Sequence, residues 1–138
     1  MNFFQFEPDV PGYFMNSRYV LDHLRDIPTI HYIFECWPYD DIISWICVHL
    51  VKERLSLALK SSRMTGFEIR DCAVSKGDQF DIASPRCGDL PDFWWLYING
   101  VPGVDDFGIT KELMLVVSER ALELLKGFVI ENADITRI

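Results

Sequence analysis

Residues 49–69, HLVKERLSLALKSSRMTGFEI, lie over residues 115–135, LVVSERALELLKGFVIENADI, at a constant offset of 66 with no gap. Val51/Val117, Glu53/Glu119, Arg54/Arg120, Leu59/Leu125, Lys60/Lys126 and Ile69/Ile135 are identical, and Leu50/Val116 and Glu68/Asp134 are conservative. Both copies have the same physical reading: an apolar strand, a short amphipathic helix, a turn and another strand. In the second copy Leu113 to Val117 form the apolar strand, and Ser118 is placed to accept a bond from an orphan amide in the first helical turn. That helix runs from about Glu119 to Lys126, with Ala121, Leu122, Leu124, Leu125 and Phe128 as its apolar stripe. Glu119 and Lys126 match the two ends of the helix dipole, and Gly127 suits a left-handed residue just beyond. In the first copy Lys52 holds the cap position, so that helix must rely on packing of Val51, Leu55, Ala58 and Leu59. Helices of roughly ten residues are marginal alone, so a sheet must hold both.

Outward from these units the chain reads as a single α+β domain over residues 1–138. It is expected to be a mixed sheet with short amphipathic helices, containing two related strand-helix-strand units at 46–72 and 112–138. Before the first unit, Phe3 to Phe6 form a short apolar strand, Pro8, Pro11 and Gly12 a turn, and Ser17 to Asp26 a helix closed by Pro28. In residues 29–37, TIHYIFECW, Ile30, Tyr32, Phe34 and Cys36 alternate with His31, Ile33 and Glu35, as a well-buried strand requires, and Pro38 ends it.

Residues 77–106, between the two copies, break the pattern. They carry Asp78, Asp81, Asp89, Asp92, Asp105 and Asp106 against Arg86 alone. They also contain an aromatic strand, Phe93 to Ile98, followed by turns at Asn99-Gly100 and Pro102-Gly103. Strand alternation puts Trp94 on one face and Phe93, Trp95 and Tyr97 on the other, with one face expected in the core.

The whole chain has 13 basic and 21 acidic residues among 138, a formal net charge of −8, with 49% apolar residues. This is a globular composition whose field repels phosphates and anionic lipid, so neither nucleic acid nor a membrane is an expected partner. The most apolar run, Ile42 to Val51, is about half the ~20 residues needed to cross a bilayer. The stretch MNFFQFEPDV has no basic n-region, and the chain reads as cytoplasmic. Cys36, Cys47, Cys72 and Cys87 lack metal-finger spacing and read as buried reduced thiols.

No catalytic motif for a nucleophile, a metalloprotease, a P-loop or a dinucleotide fold is present. His31 and His49 lie in apolar strand-like stretches and are expected to be hydrogen-bonded and partly buried, while His23 is expected to be solvated. Asp40-Asp41 and Asp105-Asp106 lack metal-loop spacing, and adjacent residues of an extended chain point opposite ways. No catalytic residue, cofactor or metal is therefore assigned. Trp37 and Tyr39, beside Pro38, Asp40 and Asp41, are the aromatics expected to be exposed as anchors for a partner.

The C-terminal stretch DDFGITKELMLVVSERALELLKGFVIENADI, with Ser-Glu-Arg at the helix start and a closing strand, resembles the myxobacterial-type immunity-protein domain. The earlier copy matches at Ile46 to Cys72, preceded by a Trp-Pro-x-Asp-like element at Trp37 to Asp40, and it departs from the pattern at Lys52. The resemblance covers roughly residues 36–138 and implies an intracellular, non-enzymatic inhibitor of a cognate polymorphic toxin or secreted antibacterial effector, including those of type VI secretion. The expected partner-binding face is Asp78, Asp81, Asp89, Asp92, Asp105 and Asp106, helped by Trp37, Tyr39, Asp40 and Asp41, set against a basic catalytic cleft. Two other readings stand beside it: a small metal-dependent hydrolase using clustered aspartates, and a general protein-protein adaptor.

Overall fold

The structure is a computed structural model describing residues 2–138. In chain order the elements are β1 (Phe3–Glu7), β2 (Gly12–Phe14), α1 (Ser17–Asp22), β3 (Ile30–Phe34), β4 (Ile42–Trp45), β5 (Val48–Lys52), α2 (Glu53–Ser61) and β6 (Phe67–Arg70). They continue with β7 (Cys72–Lys76), α3 (Phe80–Ala83), β8 (Phe93–Ile98), β9 (Phe107–Ile109), β10 (Leu115–Ser118), α4 (Glu119–Lys126) and β11 (Asp134–Arg137). The α+β class holds, but the strands divide among three sheets, ordered β4-β5-β8-β6, β9-β10-β1-β11 and β2-β3-β7.

The repeat is larger than a strand, a helix and a strand. Each unit is a hairpin, a helix and a closing strand: β4-β5-α2-β6 and β9-β10-α4-β11. In each sheet a strand from elsewhere lies between the hairpin and the closing strand: β8 in the first, β1 in the second. Chain order makes this an exchange, because β1 precedes the first unit and β8 the second, yet each pairs within the other's sheet. The registers agree in detail. Ile69 faces Leu96 and Ile135 faces Phe6, while His49 faces Leu96 and Leu115 faces Phe6. The aromatic strand expected to interrupt the repeat is thus a central strand of its first sheet.

This exchange fuses the two units into one core. Phe6, Ile42, Val51, Leu55, Leu59, Leu96, Phe107, Val117, Leu122 and Leu125 form a buried cluster drawn from both sheets and both repeat helices. A second cluster forms on the other face of β4-β5-β8-β6, where Ile43, Leu50, Phe93 and Trp95 pack against Phe14, Tyr32 and Phe34 of the three-stranded sheet. Strand β8 accordingly has two core faces. Phe93, Trp95 and Tyr97 pack into the second cluster, while Trp94, Leu96 and Ile98 pack into the first.

Local physics accounts for the helix ends. Ser118 Oγ accepts from Ala121 N at 3.2 Å, the expected cap, whereas Lys52 makes no side-chain cap bond. Gly127 has φ −75°, so α4 ends without the expected left-handed residue, its amide donating back to the Leu124 and Leu125 carbonyls. Helix α1 stops at Asp22, short of the expected Asp26, and continues as turns in which Asp26 and Ile27 donate to the His23 carbonyl. Strand β3 ends at Phe34, before the expected Trp37. Gly66 has φ +98° in the turn after α2, a conformation glycine adopts freely, and its carbonyl accepts from both Asn99 and Gly100.

Candidate functional site

Three of the aspartates expected on a binding face are internal. Asp40, Asp41 and Asp106 are buried, and each is committed to a backbone segment. Asp41 takes Arg54 in a two-pronged pair, Nε to Oδ1 at 3.1 Å and Nη2 to Oδ2 at 2.5 Å, and also accepts from Val129 N at 2.7 Å. Asp106 takes Arg120 in the same way, Nε to Oδ1 at 2.7 Å and Nη2 to Oδ2 at 2.5 Å, and accepts from Thr65 N at 2.9 Å and Ser118 Oγ at 2.6 Å. Arg120, with Ser118 and the Thr65 amide, outweighs burial and holds the Asp106 carboxyl well below the usual carboxylate range. Asp40 accepts from Asn132 N at 2.9 Å and Asn132 Nδ2 at 3.2 Å. A buried carboxylate that keeps such bonds is a structural fastener, so these three leave the expected face. Asp105 stands apart from the others, its Oδ2 accepting from Val101 N at 2.7 Å in the turn before β9.

The remaining acidic residues stay on the surface. Asp78, Asp81, Asp89 and Asp92 are all exposed, on the loop 77–92 that contains the one-turn α3, and none makes a side-chain hydrogen bond or ion pair among the described residues. The loop is held firmly at its base. Gly77 N donates to the Phe34 carbonyl at 2.7 Å, and Gln79 N donates to Glu35 Oε2 at 2.8 Å. Phe80 is fully buried in the second cluster, with Lys76 Nζ 4.9 Å from its ring centroid. Trp37 joins the loop from the other side. Its backbone N–H donates to Ser84 Oγ at 2.9 Å, and its half-buried ring meets Phe80 edge-on at 6.4 Å. Tyr39, two residues further on, is 63% exposed, and Ile82 at the crest of α3 is 76% exposed. The structure therefore brings Trp37 to the loop that carries Asp78 and Asp81, and leaves Asp105 elsewhere.

Sequence reasoning missed a second set of exposed apolar side chains, Tyr13 on β2, Met15 in the turn after it and Tyr19 on α1. Their signal is weak, because single exposed aromatics are common on protein surfaces. The histidines divide differently from expectation. His31 is half-buried, with Nε2 2.8 Å from Ser75 Oγ, and His23 is exposed and stacked on Tyr19. His49 is fully buried where a partly buried ring was expected, and its Nδ1 makes no hydrogen bond. Burial pushes its pKa down to about 4, with the Cys47 backbone working weakly the other way, so the ring is neutral near pH 7.

The four cysteines are free and half-buried. Burial raises the Cys36 and Cys47 thiols and pushes Cys72 up to about 12, which removes the thiolate character a nucleophile needs. Among the described residues no group of three or more His, Cys, Asp or Glu is placed to hold a metal ion, and no helix is long and apolar enough to cross a membrane. Comparison with protein families, with curated proteins and with solved structures gives no match to the chain.

Proposed function

We propose that the chain is a non-enzymatic immunity protein that binds and neutralises a cognate antibacterial toxin or effector. Its contact surface is the loop 77–92 together with Trp37 and Tyr39. One observation carries this reading: four exposed, unpaired aspartates share a pinned loop with an exposed Ile82 and an edge-packed Trp37. Carboxylates without internal partners are available to a basic cleft. An apolar crest beside them offers the desolvated centre around which interface energy gathers. A rigid base lowers the cost of ordering the loop on binding. The resemblance of the repeated unit to the myxobacterial-type immunity domain points the same way.

Co-expression with the toxin encoded beside the gene tests the proposal. Rescue of growth, with a complex that survives size-exclusion chromatography, is the expected outcome, and neither rescue nor complex overturns it. The hydrolase alternative loses ground because the paired aspartates are spent on separate backbone fasteners and do not converge. The adaptor alternative draws on Tyr13, Met15 and Tyr19, and a stable homo-oligomer or a partner unrelated to any toxin would favour it.

A further inference from the structure

The three-stranded sheet β2-β3-β7 has one face in the second core cluster and one turned outward. Phe14, Ile30, Tyr32, Phe34 and Val74 take the core side, so strand alternation puts Tyr13, His31, Ile33, Ala73 and Ser75 on the other. Pairing registers set these in rows: Tyr13 opposite Ile33 and Ile33 opposite Ser75, with His31 opposite Ala73. Met15 prolongs the second row, its N–H donating to the His31 carbonyl at 2.9 Å. Tyr13 and Met15 are 43% and 47% exposed, Ala73 is exposed, and the other three are half-buried.

A second outward face supplies the control. In β9-β10-β1-β11 the rows turned away from the core place Gln5 opposite Thr136 and Glu7 opposite Asp134, as a sheet facing water should. The rows on β2-β3-β7 hold no carboxylate, lysine or arginine, in a chain that is 25% charged. Their central polar groups are turned on each other, with His31 Nε2 2.8 Å from Ser75 Oγ. Polar atoms bonded within a face can be covered without losing a partner. At the Met15 end a hollow of about 400 Å³ opens, lined by Met15, Tyr19, Ile27, His31 and Ala73 among others. A third row joins the face to the loop 77–92. Glu35 and Gly77 follow Ile33 and Ser75, and a Cβ on Gly77 would strike the Glu35 carboxylate and lie 2.9 Å from Ile33 Cγ2. Glu35 in turn holds Gln79 N, beside Asp78 and Asp81. The uncharged rows and the acidic loop are one continuous surface.

We infer that the outward face of β2-β3-β7 is the apolar half of the contact surface, and that the bound toxin seats an apolar side chain in the hollow beside Met15 while its lysines and arginines meet Asp78 and Asp81. The inference rests on the immunity reading and deepens it. The loop supplies charge that steers and orients the partner. The sheet face supplies what the charges lack, a flat, rigid area with tyrosine and methionine around a pocket, where an apolar anchor concentrates binding energy.

The test is the affinity of the full chain for the toxin encoded beside its gene, measured for the parent, for the double variant Tyr13→Ala/Met15→Ala and for Ala73→Gln. Thr136→Gln, on the outward face of the other sheet, is the control. The double variant removes two exposed side chains, and Ala73→Gln adds uncharged bulk at an exposed position, so both are expected to fold. Each is expected to weaken the complex roughly tenfold or more, by a factor that added salt leaves unchanged, while Thr136→Gln binds as the parent does. Oxidation of Met15 by hydroxyl radicals, read by mass spectrometry on the parent chain, needs no variant and is expected to fall when the toxin is bound. A complex that neither variant weakens, or one in which Met15 stays as reactive as in the free chain, overturns the inference and leaves the immunity reading standing. Absence of any complex with the parent overturns both. A free chain that dimerises, and that Ala73→Gln makes monomeric, assigns the face to a second copy and overturns the inference.

Discussion

Asp41 and Asp106 hold the same post in opposite units. Each pairs with the arginine that opens its own unit's helix and also fastens the backbone following the other unit's helix: Asp41 to Val129 N, and Asp106 to Thr65 N. The two repeats are thus bolted together twice, in addition to the exchange of β1 and β8. In both pairs the carboxylate is buried and the arginine exposed, with side-chain exposures of 2% against 61% and 5% against 56%.

That asymmetry predicts unequal mutations. Each carboxylate keeps its backbone-amide bond when its arginine is lost, so Arg54→Ala and Arg120→Ala, which leave a buried charge without its counter-ion, are expected to destabilise the chain less than loss of the carboxylate itself. Asp41→Asn and Asp106→Asn leave buried amides without their acceptor geometry and are expected to cost about 2–3 kcal/mol each. Urea denaturation of the four variants measures the difference.

The Asp106 effect has a defined pH window. Its folded pKa is depressed, so its contribution is present above the unfolded value of about 4 and is lost as pH falls toward the folded value. The stability gap between the parent chain and Asp106→Asn is expected to stay constant from pH 5 to 8 and to narrow only below about pH 4.

His49 has the same sign in a different window. Its folded pKa of about 4 lies below the ordinary 6.5, so the unfolded chain takes up the proton first as pH falls. Stability is expected to drop between about pH 6.5 and 4, by at most about 3 kcal/mol from this group. His49→Leu should remove that slope, and paired denaturation curves at pH 7 and pH 5 check it.

Strand β1 is a centre strand although it lies at the start of the chain. Phe6 is 1% exposed in the shared core, so Phe6→Ala is expected to cost about 3–5 kcal/mol. Ser118→Ala removes both the α4 cap and the bond to Asp106 Oδ1, and about 1–2 kcal/mol is expected. Thermal melts distinguish these from a surface substitution such as Asp89→Lys, for which about 0.5 kcal/mol or less is expected.

The offset between Val51 and Val117 was enough to reveal both repeat helices, because identity and amphipathic spacing survive in the local sequence. Phe93–Ile98 was legible for the same reason, as a run of aromatic and β-branched residues. The exchange of β1 and β8 was not legible, since which sheet a strand joins depends on pairing far along the chain. The candidate face was half legible. Asp78, Asp81, Asp89 and Asp92 follow from composition, but Asp41 and Asp106 look identical to them as letters and differ only through Arg54, Arg120 and two distant amides. His49 was hardest, because the sequence cannot show that a histidine in an apolar stretch would be buried completely.

The most direct measurement is the affinity of the chain for the toxin encoded beside its gene, compared with that of a variant carrying Asp78→Lys, Asp81→Lys, Asp89→Lys and Asp92→Lys, which should fold normally. The account predicts a complex with the parent chain that weakens at least a hundredfold in the variant and weakens with added salt in the parent. Unchanged affinity of a folded variant contradicts the loop 77–92 as the contact surface, and absence of any complex with the parent chain contradicts the immunity reading itself.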